Sequence, residues 1–435
     1  MRHLLIGIIF LAGSILNASE YYIDSESGKD ENSGTTPQAA WNSLTKVNET
    51  QFQPGDSIYF KRGGLWRGTF KPKSGDSSQT ILYSSYGEGE KPKFYCSVSL
   101  NQSKDWIQMA DQLWATPVSD DSELTSTQNR LTTDVGNIIL DGKKAAFKRW
   151  DKESLQNQDD FWFDLEKSQL WFRSEKNPAE LYSEIEAALR RHVIDISGCH
   201  NAIFDNLDIR YGAAHGFGGS SNHHLIIRNC DISWIGGGDQ YLQGGKGRRV
   251  RFGNGIEFWE NANDHLIENN RLWEIYDAAL TNQGSQNNRQ VNIIYRNNEI
   301  WNCEYSFEFW NRGQESMTKD IVFENNQCFD AGFGWGHIQR PDKNGRHIMF
   351  YNNSSQTSGM IIQNNVFCNA TESLVRLEND WTSGLTLNHN LYWQDNEQLP
   401  YFLWLKKNYG KQDIDSFRTE TKMELDSKIQ KMNRQ

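Results

Sequence analysis

Three segments between residues 254 and 312 decide the fold: Asn254-Gly-Ile-Glu-Phe-Trp259, Asp277-Ala-Ala-Leu-Thr-Asn-Gln283 and Tyr305-Ser-Phe-Glu-Phe-Trp-Asn-Arg312. Each follows a short run ending in an Asn pair or a variant of one, so the three read as one strand met in successive turns of a repeat. Superposed, Glu257, Ala279 and Glu308 form one column, and Trp259, Thr281 and Trp310 form the column two residues on. Side chains alternate across a strand, so Ile256, Phe258, Phe307 and Phe309 are predicted to point inward. The acids and indoles then share the outward face.

The repeat extends in both directions. Ala202–Ile209, Leu225–Ile232, Leu266–Leu272, Ile293–Ile300, Ile321–Cys328, Met360–Phe367 and Leu385–Leu391 superpose without gaps. One Asn of each stacks on the next: Asn206, Asn229, Asn269, Asn297, Asn325, Asn364 and Asn388. Asn tolerates a left-handed turn and bonds along a stack, so this ladder is expected to be structural. From ladder to outward column the spacing is 10 to 12 residues (Asn206 to Gly218, Asn269 to Ala279, Asn297 to Glu308, Asn325 to His337, Asn364 to Arg376), but 28 from Asn229 to Glu257. The excess, Asp239 to Gly253, carries Lys246, Arg248, Arg249 and Arg251 and is expected to form a basic flap over the outward face; long loops in a regular frame are commonly functional.

Length and composition agree. A chain of 435 residues with 37% hydrophobic content, 35 Gly and 16 Trp suits a solenoid whose turns each bury a thin strip. A net charge of -11 argues against nucleic acid as partner. Residues 1–19 read as a secretory signal peptide: Arg2 and His3, an apolar run from Leu4 to Leu16, then Ala18 and Ser19. No other stretch is apolar enough to span a bilayer, so a secreted or periplasmic monomer is expected. The six cysteines lack a CxxC pair, and Cys328 falls where Ile232, Leu272 and Ile300 stand in other turns, which makes it a core filler.

The predicted organisation is an N-terminal cap and first coils over 20–100, an inserted β-rich subdomain over 101–192, the main repeat over 193–400 and a cap or tail over 401–435. Asp141-Gly142 marks a hairpin in the insertion, and Ala179 to Arg190 reads as helical.

These residues resemble the pectate-lyase-like right-handed parallel β-helix superfamily, associated with polysaccharide breakdown by exported bacterial proteins. The carriers are PGDSIYFKRGGLWRG near the start, then IEAALRRHVIDISG, YGAAHGFGG, NCDISWIGGG, GNGIEFWENA, YDAALTNQG and EYSFEFWNR, over about residues 21–400. The resemblance implies an all-β right-handed parallel β-helix; the superfamily holds lyases, hydrolases, epimerases and non-catalytic fibres. The polygalacturonase pattern and the DPHD of alginate epimerases are absent. Arg340-Pro341 resembles the Arg and Pro near a pectate lyase's catalytic strand, without that enzyme's calcium-binding aspartates.

Glycoside hydrolysis needs an acid for the leaving oxygen and a carboxylate for water or direct attack. Glu257 and Glu308, two coils apart, have backbones roughly 9 to 10 Å from one another, and Asp277 lies roughly 8 Å from each. An outward Glu is ordinarily only a solvated face; Trp259 and Trp310 beside these two favour a site, since exposed indoles are otherwise a liability. The expected catalytic residues are therefore Glu257, Glu308 and Asp277 on a polysaccharide or oligosaccharide, with Trp259, Trp310, His337, Arg312, Arg340 and His215 binding it. No cofactor is required, and Ca2+ is an option. Two alternatives remain: a polysaccharide lyase in which Arg340, Arg312, His337 or Tyr305 acts beside a uronate, and a non-catalytic glycan-binding or adhesive β-helix.

Overall fold

Backbone hydrogen bonds between successive turns gather the chain into three long sheets of eleven, ten and nine strands. The computed structural model describes residues 18–119, 131–242 and 249–431. The expected leader lies almost wholly outside these residues, as do Lys246 and Arg248. Among the described residues, no helix is long and apolar enough to cross a membrane.

The chain visits the sheets in turn. His200–Asp205 enters sheet A, Asp208–Arg210 sheet B and Phe217–Gly219 sheet C; His223–Arg228, Asp231–Ile235 and Ile256–Trp259 repeat the circuit one level on. Each strand pairs in parallel with its counterpart in the next turn. The fold is all-β, and its core is the strip enclosed by the three sheets. Ile256, Phe258, Phe307 and Phe309 are wholly buried within it, as alternation requires. Cys328 is buried between Ile300 and Phe367, and Cys199, Cys230, Cys303 and Cys328 are free thiols.

The corner between sheets A and B corrects the predicted ladder by one residue. Asn206, Asn229, Asn269, Asn297, Asn325 and Asn364 take the left-handed conformation, with φ of 53–64°. The vertical bonds belong to the residue that follows. The Asn270 backbone N–H and side-chain amide both donate to Oδ1 of Asn298, each at 3.0 Å. Asn298 does the same to Asn326, Asn326 to Asn365 and Asn365 to Asn390. In the last turn His389, not Asn388, holds the left-handed position, because Asn388 pairs with Gln363.

Residues 97–189 interrupt the parallel sheets with an antiparallel sheet of four strands and a mostly antiparallel one of five, in which Phe147–Lys148 joins Asp160–Asp164 in parallel. Val135–Leu140 folds back on Lys144–Ala145 through Asp141 and Gly142, both at positive φ. The helix expected over Ala179 to Arg190 stops after Pro178–Leu181, and Ile185–Leu189 is instead a fully buried strand between Ser97–Ser99 and Val135–Leu140. Two neighbours capture it there, and Arg67 pairs with Glu186 at 2.7 Å. At the far end, helix Ile414–Thr421 packs Phe417 on Phe402, and Lys428–Ile429 adds a last strand to sheet B.

Cutting the Asn column strands donors away from water. Asn298→Ala orphans the Asn270 N–H and one of its amide hydrogens, at about 1–3 kcal/mol for each buried polar group. A loss of about 2–4 kcal/mol in urea unfolding is expected, whereas Asn297→Gly, at a left-handed position, should change stability by only a few tenths of a kcal/mol.

Candidate active site on sheet C

The outward face of sheet C opens into a cavity of about 790 Å³. Glu257 comes from Ile256–Trp259 and Glu308 from Tyr305–Asn311, each held by the buried apolar residues on either side of it. The register differs from the predicted one in the turn between them. Glu257 stands opposite Thr281 and Thr281 opposite Glu308, while Gln283 stands between Trp259 and Trp310. Asn269 to Thr281 spans 12 residues, matching Asn206 to Gly218, so Ala279 lies two residues before the column of the acids, buried in the core. Asp277 thus lies four residues, not two, before the level of the acids, at the corner where its N–H donates to the Gly253 carbonyl.

His337 leaves the column altogether. Met349 pairs with Glu308, and the chain between sheets B and C makes an excursion through helix Trp335–Gln339. His337 Nδ1 sits 3.0 Å from Glu304, a wholly buried carboxylate, and does not line the cavity. Trp335 packs against Tyr276 and gives its indole N–H to the Glu274 carbonyl, so it too is structural. The expected basic flap is also different. Arg251 is buried, donating to the carbonyls of Gly237 and Gly136 and to Gln339, and Arg249 lies against Trp150 and Asp151 of the antiparallel region. Val250, Arg251 and Phe252 wall the cavity together with Gln240 and Tyr241.

The remaining predicted residues, Glu257, Glu308, Asp277, Trp259, Trp310, Arg312, Arg340 and His215, all line this cavity. Three more contributors are His192, Gln283 and Tyr351. The first two sit in columns whose register or corner position the repeat alone does not give, and Tyr351 follows the excursion.

The two glutamates have different surroundings. Glu308 Oε1 accepts hydrogen bonds from Gln283 Nε2 at 3.1 Å and from the Trp310 indole at 3.2 Å. Burial, then the charges of Asp277 and Glu257, push the Glu308 carboxyl well above its ordinary range. Burial raises Asp277 as well, opposed by Arg340 Nη1 at 3.0 Å; the Arg340 charge also draws Glu308 down, but among the described residues no cation contacts Glu308. Both carboxyls therefore hold their protons to higher pH than a free carboxylic acid, Glu308 with the neutral donors of Gln283 and Trp310 on its Oε1. Glu257 meets a histidine instead, with His215 Nε2 against its Oε2.

Arg340 does not present a free guanidinium. It bonds Asp277 and the Tyr276 carbonyl, approaches Asp342 at 3.4 Å and Glu304 at 3.8 Å, and lies over Tyr276 and Tyr305. Arg312 covers the Trp310 ring at 4.7 Å, and Trp310 meets Trp259 edge to face with centroids 5.5 Å apart. Among the described residues, no group of three or more His, Cys, Asp or Glu side chains has the arrangement of a metal site.

No family model matches the chain. Over 97 residues it is 31% identical to lacto-N-biosidase of Bifidobacterium longum subsp. longum, a match covering 21% of this chain and 6% of that protein. Among solved structures, it is similar to the GH136 lacto-N-biosidase from Eubacterium ramulus (13% identity, TM-score 0.41, covering 95% of this chain and 68% of that one). It is also similar to pectate lyase Pel9A (11% identity, TM-score 0.45, covering 88% and 70%). Both are right-handed β-helix proteins.

The raised carboxyl fixes a pH dependence. In the unfolded chain a Glu ionises near 4.5, whereas folded Glu308 holds its proton to higher pH. The folded state then binds more protons than the unfolded one, so this group's contribution to stability falls as pH rises through that window. Thermal melts of the protein and of Glu308→Gln from about pH 5 to 8 should diverge in the variant's favour as pH increases.

Proposed function

We propose that this chain is an exported carbohydrate-active enzyme, a monomeric right-handed parallel β-helix that hydrolyses glycosidic bonds in a neutral polysaccharide or oligosaccharide. The observation that carries the reading is the pair Glu257 and Glu308, facing one cavity from alternate coils, one bonded by an imidazole and the other by an amide and an indole. Handedness follows from the parallel crossovers, which are right-handed in about 98% of cases. The local sequence likeness to a lacto-N-biosidase is in keeping with glycan chemistry.

In this mechanism Glu308 gives its proton to the glycosidic oxygen as the bond to the anomeric carbon breaks. Glu257 takes a proton from the water that attacks the opposite face. Glu257 and Glu308 sit two strand spacings apart, so their backbones are about 9–10 Å from each other. That separation leaves room for water and favours inversion, which uses carboxyls roughly 6.5–9.5 Å apart. Asp277, paired with Arg340 at 3.0 Å, lines the same cavity and faces the positive charge that develops on the sugar ring. Trp259 and Trp310 supply apolar walls for the ring. No cofactor enters.

The lyase reading needs a cation to neutralise a uronate and a base beside it. Arg340 is already engaged by carboxylates, and burial raises the Tyr305 and Tyr351 hydroxyls, making both poor bases. The cavity's carboxylates would also repel a uronate.

The test is a panel of neutral and uronate-containing glycans, read for new reducing ends and for the ultraviolet absorbance of an unsaturated product. Reducing ends without absorbance are expected, falling about 10²–10⁴-fold in Glu257→Gln and in Glu308→Gln. Absorbance rising with the reducing ends would establish elimination instead, and binding without turnover would make the protein an adhesin.

A further inference from the structure

His215 is more than a wall of the cavity. It is buried, and its Nδ1 accepts the backbone N–H of Asn254 at 2.9 Å. A nitrogen that accepts an N–H carries no proton, so in neutral His215 the hydrogen is on Nε2. That nitrogen faces Oε2 of Glu257. Asn254 is itself anchored, since its Oδ1 accepts the Ala278 N–H at 3.0 Å.

The ring is fixed from two sides. His192 stacks on it at 5.0 Å and 22°, and Phe252 meets it edge-on at 5.2 Å. His192 has space for this because the residue beside Glu257 in the preceding coil is Gly218, where a Cβ would come within 2.6 Å of His192 Nδ1. Burial and the neighbouring His215 push His192 down to about 4, so it stays neutral. A second proton on His215 would have to displace the Asn254 N–H.

We propose that His215 is a positioning residue that keeps Glu257 a proton acceptor: its fixed Nε2–H satisfies one carboxylate oxygen and leaves the other directed at the cavity, and His192 holds the ring in place. This rests on the reading of Glu257 as the base. The charged or titratable groups around the assembly are His192, His215, Asp195 and Arg190 on one side, and Glu308, Asp277 and Arg340 on the other. Of this set, His215 is the group set against the Glu257 carboxylate.

The experiment combines kinetics with a readout that needs no turnover. With a neutral oligosaccharide that the protein cleaves, His215→Leu removes the donor, which raises the carboxyl's proton affinity. The acidic limb of kcat/KM should move up by about one pH unit and kcat should fall about tenfold or more, with KM within about twofold. His215→Gln, which keeps an N–H donor, should restore most of both, and matched melting temperatures exclude misfolding. In parallel, long-range ¹⁵N–¹H spectra of the unmodified protein should show His215 protonated on Nε2 alone across the neutral range. A proton on Nδ1, or a fall in kcat with an unmoved acidic limb, would overturn the proposal. If the tautomer is as stated but Glu257→Gln retains full turnover, the base assignment fails and the role of His215 falls with it. If Glu257→Gln is inactive while the tautomer is wrong, only the inference about His215 is lost.

Discussion

Every coil of this protein buries a bend, and a bend exposes backbone N–H groups that a sheet ladder does not reach. The column Asn270, Asn298, Asn326, Asn365 and Asn390 meets that need from within: Asn270 accepts the Cys230 N–H, each later side chain accepts two donors from the turn before, and all donate back to a strand carbonyl. The preceding left-handed residue aims each amide inward. With the corner satisfied, one coil sets the height and rotation of the next, and the outward faces of sheet C come into register. The cavity depends on that register, because its residues come from separate turns and meet across strand spacings.

On this face the carboxyls differ through their surroundings. Glu308 lies among acids and neutral donors, Glu257 against an imidazole, and Asp277 against a guanidinium. None of these groups is unusual alone. What separates them is which corner of the coil brings the partner: Arg340 from the excursion between sheets B and C, and His215 from the turn ahead of the first full strand of sheet C. The antiparallel region buttresses the same walls, since Gln339 bonds both the Lys148 N–H and the Ala146 carbonyl, and Arg190 reaches the Gln240 carbonyl.

Much of this was legible in the sequence because the repeat writes its constraints as Asn pairs and inward aromatics. The inward direction of Phe258 and Phe309 and the outward direction of Glu257 and Glu308 follow from alternation alone. The errors share one physical origin: residues can be spent at a corner without disturbing the strands on either side. Two fewer residues were assigned to the turn before Thr281, which placed Ala279 between the acids. In the coil of Asn325 the excursion hides its own length, because His337 falls 12 residues after Asn325 and so occupies the expected spacing while the strand itself begins later, at Arg346. Reading Asn297 rather than Asn298 as the ladder residue came from a pair whose two members do different work. His192 gave no signal, since its place above Gly218 is set by a missing side chain in another coil.

Because Glu257 and Glu308 lie in register on alternate coils, their separation is not continuously adjustable. It changes only in whole strand spacings of about 4.8 Å. Gene-level loss of the single coil carrying Thr281 would bring the two carboxyls onto adjacent strands, near the spacing of roughly 5–5.5 Å that supports a covalent glycosyl intermediate. In a stacked-coil scaffold, the distance between two outward carboxyls is thus set by an integer, the number of turns between them.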